Sequence, residues 1–135
     1  MNHRLFASDS KSWKLLFQEA AEFAASLGRE KLISICHSHD SVSGVVAVWY
    51  HQGLPDQPGL ELNWVKFESY SLSWEKLFLQ ADAFAGDRPA GSVASISHSC
   101  ADSSGMVVVW FWGAKGQPGQ LTITDVGARG QLSDT

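Results

Sequence analysis

Apolar side chains recur along this chain with two periods. From Trp13, the residues Leu16, Phe17, Ala20, Phe23, Ala24 and Leu27 return every three or four positions, which is one continuous stripe on a helix. Trp74, Leu77, Phe78, Ala81, Phe84 and Ala85 draw the same stripe again. Ser-rich segments, Ser8 to Ser12 and Ser69 to Ser73, precede both and offer hydroxyls that cap the free N–H groups of a helix start. Gly28 ends the first helix, and Gly86 with Pro89 ends the second. Elsewhere the period is two. Short strands are predicted before the helices, at Arg4–Ala7 and Leu60–Glu68. Hairpins are predicted after them, Leu32–Ser38 with Val45–His51 and Val93–Ser99 with Met106–Trp112, joined by polar turns holding Ser43-Gly44 and Ser104-Gly105.

The two series are copies. Shifted by 61 positions, residues 6–52 align without a gap on 67–113, with 19 identities over 47 positions. Among them are Phe6 with Phe67, Ser12-Trp13 with Ser73-Trp74, Leu16-Phe17 with Leu77-Phe78, His37-Ser38 with His98-Ser99, and Trp49 with Trp110. Such self-similarity marks a duplicated β-α-β-β unit. The reading is one domain, residues 1–135, with repeat one at 3–58, repeat two at 60–118, and an extra strand and tail at 119–135. That last strand rests on an echo of Leu60–Val65 in Leu121–Val126. It would close the second unit or pair with another chain. The expected fold is α+β, a six- to seven-stranded, mostly antiparallel sheet with two helices packed on one face.

Strand alternation assigns faces. Ile33, Ile35 and His37 share one side, as do Val46, Val48 and Tyr50. Their counterparts Ala94, Ile96, His98, Val107, Val109 and Phe111 do the same, and these sets are expected under the helices. The opposite face then carries Trp49, His51, Trp110 and Trp112 together with Ser34, Ser38, Ser95, Ser97 and Ser99. An uncovered sheet face with tryptophans in register reads as an interface or a ligand site. Trp is enriched in interface cores, so self-association is favoured, with a small aromatic or amphipathic ligand held on the same face as the other use.

Composition narrows the partners. The chain is 44% hydrophobic and 18% charged, which is ordinary for a globular domain and excludes charge-driven disorder. A net charge of −4 with scattered Lys and Arg argues against nucleic acid. Met1 to Trp13 contains His3, Arg4, Asp9 and Lys11, and no stretch approaches the ~18–20 apolar residues of a membrane helix. A soluble, cytoplasmic protein without membrane contact is expected.

One segment carries alternative chemistry. In Cys36-His37-Ser38-His39-Asp40, His37 and His39 stand on one strand face beside Asp40, so a transition metal with help from His51 or His3 is conceivable. Cys36 beside His37 reads as an activated thiol, but strand neighbours point to opposite faces. Of Cys36, His37, His39 and Asp40, only His37 recurs in the second copy, as His98. No nucleophile elbow accompanies the Ser, His and Asp residues near the hairpins. A Cys36–Cys100 disulfide is not expected in a cytoplasmic chain. The residues give no cofactor.

The order strand, Ser-rich turn with Ser73-Trp74-Glu75, helix and hairpin resembles the dodecin family of small β-α-β-β proteins. That resemblance covers each repeat once and implies a storage or buffering oligomer; dodecins hold flavins between aromatic rings in hollow assemblies. Here the positions opening the strand after each helix are Lys31-Leu32 and Ser92-Val93 instead of Trp, so no flavin-stacking residue carries over. The function expected is that of a non-enzymatic, self-associating protein. The alternative is a metal- or thiol-dependent enzyme built on Cys36 to Asp40.

Overall fold

The computed structural model describes residues 1–39, 43–69, 73–101, 104–114, 120–124 and 131–133. Repeat one comprises β1 (Asn2–Ser8), α1 (Trp13–Leu27), β2 (Leu32–His39) and β3 (Gly44–Tyr50). Repeat two comprises β4 (Glu61–Ser69), α2 (Trp74–Gly86), β5 (Val93–Ala101) and β6 (Ser104–Gly113), followed by β7 (Gln120–Thr124) and β8 (Gln131–Ser133). Both helices begin where the serines put them. Ser12 Oγ accepts the Leu15 N–H and Ser73 Oγ the Lys76 N–H, each at 3.3 Å, contacts worth about 1 kcal/mol apiece. The duplication extends to irregularities, since both β2 and β5 slip register against their partners at equivalent places, Leu32/Ser34 and Val93/Ser95.

The class is α+β with two β-α-β-β halves, but the strands divide between two sheets where one was expected. The first has order β1-β3-β2 and the second β5-β6-β4-β7-β8. β7 runs parallel to β4 and β8 antiparallel to β7, so the extra C-terminal strand pairs within the chain. β2 and β5, the edge strands, lie beside each other.

Each helix packs on the sheet of its own repeat, and the repeats stack in the same sense. α2 covers Val65, Phe67, Val107, Val109 and Phe111 on one face of the second sheet. α1 lies between Ile35, Val46 and Val48 of the first sheet and Leu62, Trp64, Val108 and Trp110 on the other face of the second. The layer order is therefore first sheet, α1, second sheet, α2, and not two helices on one side of a common sheet. The reason is areal. α1 is buried through Ala21 and Leu27 as well as Leu16, Phe17, Ala20 and Ala24, an arc too wide for one sheet to cover. Among the described residues no helix is long and apolar enough to cross a membrane.

Two glycines fix this geometry. Gly28 adopts φ 92°, and a Cβ there would stand 2.3 Å from the Gln57 carbonyl oxygen, where the returning connector bonds Leu27 O through Gln57 N–H at 2.9 Å. Gly44 serves the indole rather than the turn. A Cβ there would lie 2.7 Å from Trp13 Cη2, and at Gly105 3.3 Å from Trp74 Cη2. Gly44→Ala is accordingly expected to lower stability by about 1–3 kcal/mol and Gly105→Ala by less, as read from urea unfolding midpoints. An unchanged midpoint for Gly44→Ala would mean that Trp13 is not held over the strand.

Candidate functional site

Alternation placed the tryptophans correctly, on the face away from the helix of their own repeat, but the openness of that face holds only in the first sheet. In the second sheet α1 covers it. Trp110 is 0% exposed, 5.0 Å from the Phe17 ring and 5.9 Å from Trp64, and Trp112 is also buried. These two are core residues, which corrects the expectation of a tryptophan surface running across both repeats. Ser97 is buried with them, Ser95 and Ser99 are half-buried, and the Ser99 hydroxyl is enclosed. Trp49, the repeat equivalent of Trp110, is 37% exposed and stacks on His3 at 4.9 Å. His51 and Ser38 are exposed beside it and Ser34 is half-buried. Met1 and Leu5 extend this apolar patch along β1.

The junction between repeats is closed by a polar relay. Trp110 Nε1–H donates to Ser97 Oγ at 3.1 Å, and Ser97 Oγ lies 2.5 Å from His37 Nδ1. The serine oxygen accepts from the indole and shares a hydrogen bond with Nδ1, while the other ring nitrogen, Nε2, is buried without a hydrogen-bond partner among the described residues. Burial lowers the His37 pKa to about 3, helped by neighbouring His98 and Lys66, so the imidazole is neutral at ordinary pH. Its ring stands edge-on to Trp13 at 5.7 Å and to Phe17 at 5.6 Å. A hydroxyl beside an imidazole is half of a nucleophile and base pair. Here, however, both side chains are sealed, at 4% and 6% exposure, and the hydroxyl oxygen is committed to the indole. The relay's role is to join the repeats.

The same geometry divides the Cys36 to His39 segment between two faces of β2. His37 faces the junction while Cys36 lies on the outer face of β2, and burial pushes the Cys36 thiol up, away from the thiolate a nucleophile needs. His39 is half-buried, 6.0 Å from the Trp13 ring, and Asp40 lies outside the described residues. Among the described residues no three His, Cys, Asp or Glu side chains gather as metal ligands would. Cys36 and Cys100 are both free thiols.

A second open surface went unread in the sequence. Beside α2, a groove of about 280 Å³ is lined by Phe78, Ala81, Asp82, Ile96, His98 and Val107. Phe78 is 45% exposed and Ile96 52%. Their partners by repeat, Phe17 and Ile35, are both 0% exposed. The available signal was Asp82, which stands where repeat one has Ala21: a charge inside an otherwise shared apolar arc. The stack thus ends in a bare sheet on one side and in an apolar groove on the other. Comparison of the chain with family models, with curated proteins and with solved structures found no match, so the reading of these two surfaces rests on their geometry alone.

Proposed function

We propose that this protein is a non-enzymatic assembly module that associates with itself through the outer face of its first sheet. One observation carries the reading. The same face of the same structural unit has its tryptophans buried under α1 in repeat two and is open in repeat one, where Trp49 is partly exposed and Leu5 and Met1 are largely in solvent. A stacked-repeat architecture covers each unit with the next and leaves unsatisfied surfaces only at its ends. Exposed apolar patches on such ends are characteristic of interfaces. A small aromatic or amphipathic molecule caught against Trp49 would be an accessory to assembly, and the sequence resemblance of each repeat to dodecins is in keeping with an oligomeric role.

The test is sedimentation velocity over a concentration series, with tryptophan emission followed in parallel. Association is expected to grow with concentration and to shift emission to the blue as Trp49 is covered. Trp49→Ser should abolish both changes while altering folding stability by no more than about 1 kcal/mol, since the residue is a surface one. A protein that stays monomeric throughout the series would overturn this reading.

A further inference from the structure

We infer that association is head to tail: the α2–β5 groove of one molecule receives the outer face of the first sheet of a second, repeating between chains the packing that joins repeat one to repeat two within the chain. This rests on the self-association reading and adds to it the identity of the partner surface. Every one of the six residues lining the groove lies 61 positions after a residue of the internal junction. Phe78, Ala81, Asp82, Ile96, His98 and Val107 answer to Phe17, Ala20, Ala21, Ile35, His37 and Val46. All six of the latter are buried, and Phe17 and His37 meet Trp64, Trp110 and Ser97 across the junction. The groove is therefore the junction's donor half, presented a second time with Phe78 and Ile96 exposed.

The receiving half is presented a second time as well. Cys36, Trp49 and His3 occupy the repeat positions of Ser97, Trp110 and Trp64. They keep the geometry too: the His3 and Trp49 rings lie 4.9 Å apart at 38°, the Trp64 and Trp110 rings 5.9 Å apart at 48°. Superposing one junction on the other sets Phe78 against Trp49 and His3, and His98 against Cys36. The substitutions weaken the copy without erasing it. A thiol replaces a hydroxyl, an imidazole an indole, and Asp82 an alanine. The external pairing also lacks the covalent tether that raises the effective concentration of the internal one. Reversible, concentration-dependent association follows. Because the paired surfaces differ, the contact is heterologous, and it builds rings or open chains rather than a face-to-face dimer.

Two variants at exposed positions decide the matter. Trp49→Lys blocks the sheet face and Ile96→Lys blocks the groove, with circular dichroism and thermal unfolding confirming that each is folded. Head-to-tail pairing predicts that each variant alone loses association by at least about tenfold, the loss expected for a buried contact residue. Mixed together, they should form a discrete one-to-one complex, because each keeps the surface the other lacks. If Trp49→Lys is monomeric while Ile96→Lys assembles like the parent, the sheet face pairs with itself; the assembly reading stands and the head-to-tail inference falls. A parent protein that never associates removes both. Independently of charge, His98→Cys in a Cys100→Ser background should cross-link to Cys36 of a second molecule under mild oxidation, and Cys36→Ser should abolish that dimer. Failure of the cross-link in an associating protein would overturn the proposed register.

Discussion

Phe17→Ala is expected to lower the unfolding free energy by about 3–5 kcal/mol, and Phe78→Ala by about 1 kcal/mol or less, although the two residues hold the same position in the repeat. The difference comes from what lies against them. Phe17 touches His37, Trp64 and Trp110 and has no solvent exposure, so truncation leaves a cavity at the junction of two sheets. Phe78 leans on Trp74 and His98 with 45% of its surface in water. Its loss is cushioned by collapse toward solvent and by the better helix propensity of alanine, worth about 0.5 kcal/mol. Urea unfolding of the two variants in dilute solution, where association does not contribute, makes the comparison. Equal losses would mean that α1 is not sandwiched and that the repeats do not stack in the order described.

That contrast also marks how far the sequence could be read. The elements, their capping serines and the duplication were legible, because each depends on spacing within a few residues or on direct self-comparison. Face assignment was legible along β6, where Val107, Val109 and Phe111 lie under α2 and Trp110 points the other way, but at the start of β5 the register slip between Val93 and Ser95 puts Ala94 on the Trp110 side, against the expectation that it shares a face with Ile96 and His98. A two-residue period tells which side a residue takes but is silent about what is placed against that side. The asymmetry between the copies did hold a clue. β4 carries Leu62 and Trp64 on one face and Val65 and Phe67 on the other, whereas β1 offers His3 and Leu5 against Arg4 and Phe6. A strand apolar on both faces is a strand buried on both faces. Likewise repeat one has Ala21, Ala25 and Leu27 where repeat two has Asp82, Gly86 and Arg88. The His37–Ser97 relay had no such signature, because it joins residues 60 apart whose meeting depends on the sense of stacking. The groove beside α2 was hidden by the duplication itself, which implied that equivalent residues share equivalent surroundings.

Acid is expected to loosen the junction well before it titrates most carboxylates. An unfolded chain binds a proton at His37 near pH 6.5, whereas in the folded protein burial holds that imidazole neutral down to about pH 3. Between those limits the unfolded state carries the extra proton, so stability falls as pH falls, by up to about 1.4 kcal/mol per pH unit, and is unaffected by this group above the ordinary histidine range. The structural cause is specific. Protonation would give both ring nitrogens an N–H although Nε2 has no acceptor among the described residues, and would place an imidazolium in a buried site beside the Trp13 and Phe17 rings, with His98 and Lys66 opposing its charge. The lowered pKa of Lys66, again from burial, reflects the same shortage of water. His37→Gln keeps a polar side chain beside Ser97 but has nothing to titrate, so its stability should decline less steeply between pH 6.5 and 3 while carboxylate contributions cancel in the comparison. Parallel stability profiles for the parent and His37→Gln would mean that His37 is hydrated in solution, and the sealed contact between the repeats would have to be abandoned with it.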